Sequence, residues 1–225
     1  MKLTRTAMGA SVLAAVAFAI TGIASAAITS TFDADSDGWS AIGDFAAPVQ
    51  WVPAGGNPAG HIEIPDAVLG GVTFFVAPAK FLGDKSAAIG SALTFDLQQL
   101  ISGGANQFND SDVVLTGNGI TLVYDLPTNP AIGSWTSYSV PLVASGWTVS
   151  SLGGAAASES QFQQVLASLT QLRIRAEYQT GADTGLLDNV SLVPEPTNVA
   201  MLLLGLAIML GVIRVRARLL QVTRK

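Results

Sequence analysis

The chain has 225 residues with no cysteine and one histidine, and its sixteen acidic side chains outnumber eleven basic ones, for a formal charge of −5. No disulfide can form, and His61 is the only imidazole available to a catalytic triad or a zinc site. Between residues 27 and 193 four basic side chains stand against fifteen acidic ones, a net of −11, which argues against nucleic acid or anionic lipid as a partner and is compatible with divalent cations or neutral glycans.

The N-terminus reads as a leader. Lys2 and Arg5 precede an apolar run over 7–23 and the small-residue triplet "ASA" at 24–26. In that order the three parts are those of a secretory signal peptide over 1–26, taken by the Sec translocon and cut after Ala26. The stretch 27–193, about 167 residues, is long enough to bury a core without covalent staples.

That stretch opens on "DADSDGWSAIGD", residues 33–44. Asp33, Asp35 and Asp37 alternate and Gly38 follows for a sharp turn, the oxygen spacing of the first half of a calcium loop. Asp44 occupies the twelfth position, where a glutamate is usual; Asp is shorter and a poorer bidentate ligand. No helix is expected on either side, so a structural calcium here would sit in a strand–loop–strand. The other reading of the same residues is an acidic surface turn.

Short runs punctuated by turn residues follow: "HIEIPD" (61–66), "LTFDL" (93–97), "ITLVYDL" (120–126), "TSYSVPL" (136–142), "LRIRAEY" (172–178) and "LLDNVSLV" (186–193). They predict an all-β, antiparallel β-sandwich or jelly roll. One short helix is expected over 158–170: Ser158 can cap it with Gln161 as capping-box partner, and Phe162, Val165, Leu166 and Leu169 form one apolar face. His61 lies out of phase with Ile62 and Ile64, on the solvent or concave side, and no nucleophile-elbow motif accompanies it. Fifteen acids always supply a carboxylate pair, so a secreted glycoside-hydrolase-like enzyme stays as the alternative to a non-enzymatic binding domain. Two carboxylates converging in a cleft would favour the enzyme; a shallow face with exposed aromatics would favour binding.

The segment "FFVAPAKFLGDKSAAIGSALTFDL" (74–97) resembles the core of the laminin IV type A domain, also called laminin B: an aromatic pair, a Pro-x-Lys-Phe-Leu-Gly-Asp block, a small-residue turn and a Leu-x-Phe-x-Leu strand. The flanks "DGW" (37–39), "GGNPAGHI" (55–62), "LVASGW" (142–147) and "LDNVSL" (187–192) agree. The resemblance spans most of 27–193 and implies a galactose-binding-like β-sandwich, an extracellular setting and no catalytic machinery. It also implies that Asp188, in "LDNVSL", helps a calcium near the N-terminal loop, and that Trp39 and Trp147 belong to the core. Trp51 and Trp135, beside Gly/Pro turns, are then the candidate glycan-binding aromatics; the other reading places them in the core as well.

The last segment, 194–225, has three parts. Pro194-Glu195-Pro196 leads, the apolar helix 197–213 follows, and Arg214, Arg216 and Arg218 begin a basic tail. The uncharged, non-polar stretch 199–213 reaches only ~22 Å as a helix, short of a ~30 Å hydrocarbon core. The arginines would hold its end on the cytoplasmic side. The three-part pattern resembles the PEP-CTERM sorting signal of Gram-negative bacteria that make exopolysaccharide. The resemblance implies transient inner-membrane retention, processing by an exosortase near Pro194-Glu195-Pro196, and delivery to the cell surface or biofilm matrix, where exopolysaccharide or a surface protein is the partner. A plain membrane anchor is the alternative.

Overall fold

The computed structural model describes residues 26–193 apart from 46, 67–70 and 102–104, together with 205, 206, 208 and 209. The leader up to residue 25, the Pro194-Glu195-Pro196 motif and the arginines at 214, 216 and 218 lie outside the described residues. Among the described residues no helix is long and apolar enough to cross a membrane.

Two antiparallel sheets face each other. The first holds β1 (Ile28–Ser30), β3 (Gln50–Val52), β4 (His61–Asp66), β6 (Ala92–Ile101), β9 (Thr136–Pro141) and β12 (Asp183–Val193). Its order is β3-β4-β12-β6-β9, with β1 also on β12. The second holds β2 (Ser40–Ile42), β5 (Phe74–Val76), β7 (Val113–Gly117), β8 (Ile120–Tyr124), β10 (Trp147–Val149) and β11 (Leu169–Arg175), in the order β10-β8-β7-β11-β5-β2. The expected sandwich is therefore present. Along β12 one edge is taken by β6, while the other passes from β4 (183–187) to β1 (190–192). At the handover the register with β6 shifts between Asp188 and Ser191, and Asn189 takes a positive φ of 52°. That is a β-bulge, which re-aims the strand.

Side chains of alternating phase fill the space between the sheets. Ile62, Ile64, Phe95, Leu97 and Leu187 come from the first sheet and Phe75, Leu115, Leu122 and Ile174 from the second, all buried in one cluster. Strands β5 and β7 escape a period-two reading because both their faces are covered. Val113, Val114 and Leu115 are consecutive buried residues, and Phe74, Val114 and Val123 form a second small cluster. Strands β1, β2, β3 and β10 have only three residues each, too few to display a period.

The helix α1 (Glu159–Ala167) starts as the sequence predicts. Ser158 Oγ accepts from Gln161 N at 3.2 Å, and the Gln161 side chain accepts from Ser158 N at 3.0 Å. Phe162, Val165 and Leu166 are buried, with Phe162 against Trp147 at 5.7 Å between ring centroids. The helix ends earlier than expected. Leu169, assigned above to its apolar face, is instead the first residue of β11, buried, and exchanges backbone hydrogen bonds with Gly83. The close approach depends on Gly117, where a Cβ would meet the carbonyl oxygens of Val165 at 2.4 Å and Ser168 at 2.6 Å. Deleting the Phe162 ring leaves a cavity next to Trp147, so Phe162→Ala should cost about 3–5 kcal/mol in urea unfolding of the purified protein. Loss of the cap in Ser158→Ala should cost about 1 kcal/mol by the same measurement.

Candidate functional site

The face of the first sheet turned away from the core carries a polar row. Asp188 stands opposite Asp96, which stands opposite Ser137, and His61 flanks Asp188 on β4. The loop 53–60 folds over this row. Asn57 N donates to Asp188 Oδ2 at 2.6 Å, and Asn57 Nδ2 donates to Asp96 Oδ2 at 3.1 Å. From the bulge, Asn189 N donates to Asp188 Oδ1 at 2.7 Å and Asn189 Nδ2 to Asp96 Oδ2 at 2.8 Å. Gly56 must be a glycine: a Cβ there would meet Gly60 O at 2.1 Å and Asp188 Oδ2 at 2.8 Å. Asp188 is fully buried and Asp96 nearly so. Neither carboxylate is free to reach a substrate, and the pair serves to clamp the loop.

The clamp sets the tryptophans. Trp135 donates from Nε1 to Gly55 O at 3.1 Å and packs edge-on against His61 at 5.7 Å, half-buried. Trp51 donates from Nε1 to Phe32 O at 2.7 Å and is 38% exposed. The two therefore flank one loop with part of each ring in solvent, while Trp39 and Trp147 are core residues. His61 occupies the phase expected of it but is only 4% exposed, because the loop and Trp135 cover it. Burial lowers its pKa below the ordinary 6.5, against the opposing pull of Glu63. It is a packed side chain.

The acidic N-terminal loop lines an open pocket of about 220 Å³, but the five carboxylates at 33, 35, 37, 44 and 188 do not converge. Among the described residues no three of them bring their oxygens together. Asp37 is ion-paired with Lys80 Nζ, which also donates to Thr29 O, and accepts from Ser30 Oγ at 2.7 Å. Asp35 Oδ1 caps the turn at Asp37 N (2.7 Å), and Asp33 Oδ2 accepts from Thr31 Oγ1 (2.8 Å). An ammonium thus stands where a hard cation was expected, and both oxygens of Asp188 accept amide protons. As folded, this donor set does not fit a calcium ion. Asp44 lies elsewhere, beside Asp66 and Glu177. The spacing in the sequence could not reveal this, since Lys80 comes from a segment 43 residues away.

A family model for laminin B (domain IV) matches residues 74–195. Laminin subunit gamma-2 of Homo sapiens is 32% identical over 174 residues, which cover 74% of this chain and 13% of that protein. The chain belongs to the laminin B family. Laminin subunit gamma-1 of Danio rerio is 33% identical over 170 residues, covering 74% of this chain and 10% of the relative. Among solved structures, the L4b domain of human laminin alpha-2 superposes with a TM-score of 0.50 at 16% identity, over 59% of this chain and 80% of that one. The chain thus corresponds to a small part of each laminin subunit.

The laminin B block at 78–84 can now be read physically. Ala79–Phe81 make one 3-10 turn that sends Phe81 into the core, where it meets Trp39 edge-on at 5.6 Å. Lys80 leaves the turn to pair with Asp37. Gly83, at φ 84°, bridges to Leu169, and Asp84 Oδ1 accepts from Ser86 N at 2.9 Å. The residues sequence reasoning missed, Asn57, Asp96 and Asn189, carry one available signal: Asp96 is the single charged residue of β6, set between Phe95 and Leu97.

Burial pushes the Asp188 carboxyl up to about 6, reinforced by Asp96 and Asp33 and opposed by the N–H groups of Asn57 and Asn189. The folded chain holds this proton more tightly than the unfolded chain, whose value is the ordinary 3.8. Its contribution to stability is therefore complete below about 4 and lost as pH rises through about 6. Asp112 and Asp183, also raised to about 6 by burial, and Glu177, raised to about 7, act in the same direction. The melting midpoint should fall between pH 4 and pH 7. Carboxyl NMR should find Asp188 titrating near 6, and at a lower pH in Asp96→Asn, where the like charge is gone.

Proposed function

We propose that this is an exported, non-catalytic surface or matrix protein whose laminin B domain binds glycan through the Trp51 and Trp135 face. The observation that carries the reading is the loop 53–60, clamped by Asp188 and Asp96 and flanked by two partly exposed indoles. Flat aromatic rings beside a rigid loop suit stacking on the apolar faces of sugars, and their N–H groups are already occupied, so the rings are held in place. The enzymatic alternative lacks such support: glycoside hydrolysis needs two carboxyls open to the sugar, and Asp96 and Asp188 are buried under Asn57 and Asn189.

Export and sorting are part of the same proposal. They rest on the leader, on Pro194-Glu195-Pro196, on the short apolar stretch and on Arg214, Arg216 and Arg218, as read by an exosortase after passage through the Sec translocon. The exopolysaccharide of the producing cell is the first glycan to try.

Binding to that polysaccharide in affinity gels should weaken about tenfold in Trp51→Ala combined with Trp135→Ala, equivalent to ~1.4 kcal/mol. An unchanged mobility shift would reject the face. Intact-mass measurement of protein extracted from the cell surface should find residues 214–225 removed. Recovery of the mature protein with its arginine tail attached would favour a plain anchor.

A further inference from the structure

At the end of the sandwich opposite α1, a second acidic group spans the two sheets. Asp44 follows β2, Asp66 ends β4, Glu177 follows β11 and Asp183 begins β12. Asp44, Asp66 and Glu177 bring carboxylate oxygens to within 4.8 Å of one another. A calcium ion takes oxygens at about 2.3–2.6 Å, so two ligands on opposite sides of one ion lie about 4.6–5.2 Å apart. The three oxygens are spaced to share one ion.

An independent feature stands beside the same group. Asp183 is directly opposite Asp66 in the β12–β4 pair, so both side chains leave the same face of the sheet. Asp183 is 6% exposed, and its Oδ1 has no hydrogen-bond partner; Oδ2 accepts from Gln179 N at 3.2 Å. Its charge acts on both Asp66 and Glu177. A buried carboxylate oxygen with nothing to accept is costly unless a cation completes it. The nearby guanidinium does not. Arg175 is spent on Glu177 O at 2.6 Å, Gln107 Oε1 at 2.8 Å, Phe108 O at 3.0 Å and Asp112 at 3.6 Å.

The surroundings orient the group. Glu177 accepts from Thr73 N at 3.1 Å and from Gln107 Nε2, which uses part of a carboxylate's roughly four lone-pair sites and fixes its direction. Gly71 leaves room for Asp44: a Cβ there would lie 2.4 Å from both of its carboxylate oxygens.

We propose that Asp44, Asp66 and Glu177, with the unpartnered Asp183 oxygen beside them across the β12–β4 pair, form a calcium site that cross-links the two sheets of this domain. The donors are all hard oxygens held on separate strands and loops, which suits calcium better than the tighter octahedron of magnesium. The site is separate from the Asp33–Asp37 loop and independent of glycan binding and of sorting.

Equilibrium dialysis of the purified protein against calcium, after removal of metal with a chelator, tests it. One ion should bind per chain. Asp44→Asn, at a half-buried position where the amide keeps the shape, and Glu177→Gln should each weaken binding tenfold or more, with circular dichroism unchanged. Asp35→Ala, in the N-terminal loop, should bind as the wild type does. In chelator, Glu177→Gln should also melt above the wild type, because a repelling charge is gone, and its midpoint should not respond to calcium. No binding by the wild type at millimolar calcium would overturn the proposal. So would an unchanged affinity in both Asp44→Asn and Glu177→Gln, or loss of binding in Asp35→Ala.

Discussion

The burial of Asp188 is the constraint on which the polar face depends. It sits where β12 exchanges β4 for β1, fully excluded from solvent. A carboxylate taken out of water costs several kcal/mol unless its oxygens are matched. The match comes from two backbone N–H groups, one in the loop 53–60 and one in the bulge of β12 itself. The loop cannot leave without stranding the carboxylate, and the bulge cannot straighten without withdrawing Asn189. One buried group thereby couples the N-terminal strand, the central strand and the loop that carries the face flanked by Trp51 and Trp135.

Negative charge is handled differently at the two places where it gathers. Around the N-terminal loop, Lys80 neutralises Asp37 and amides of Asn57 and Asn189 solvate Asp96 and Asp188. Five residues back along β12, about 17 Å away, Asp183 begins a second acidic group, in which Glu177 accepts from Thr73 N and Gln107 Nε2 and Asp183 from Gln179 N. There burial and three neighbouring carboxylates together push Glu177 up to about 7. The two groups differ in how far the sequence announces them. Alternating aspartates in one loop are close in sequence and are served there by a turn N–H group, while Lys80 is brought to them by the fold from 43 residues away. Carboxylates brought together from four separate segments are invisible to spacing, and their mutual repulsion exists only in the folded chain.

Features governed by local rules were legible in the sequence. The capping box at Ser158 and Gln161, the alternation of "HIEIPD" and the apolar face of α1 are each decided within a few residues, and each is found where its pattern puts it. Leu169 marks the limit. Its spacing fits the helix, but tertiary pairing with Gly83 draws it into β11 while keeping it buried. His61 shows the same limit in another form: phase gives the face of a strand but not what lies over that face, and here a loop does. Strands buried on both faces, β5 and β7, lack the alternation that would have announced them.

The laminin B blocks gain a physical reason when seen together. "DGW" and "PAKFLGD" are separated by about forty residues of sequence, yet Asp37 meets Lys80 and Trp39 meets Phe81. The two contacts do not weigh equally. The side chains of Lys80 and Asp37 are 37% and 36% exposed, and exposed ion pairs contribute about 0–1 kcal/mol. Trp39 and Phe81 are buried in the main cluster, where an aromatic side chain contributes several times that. The ring contact therefore supplies the stability. The ion pair, together with the chain of hydrogen bonds from Trp39 Nε1 through Ser30 Oγ to Asp37, fixes how the N-terminal loop is turned as it enters the sandwich. A chain with no cysteine can hold its N-terminal strand against the core in this way, with a packed indole in place of a covalent tie.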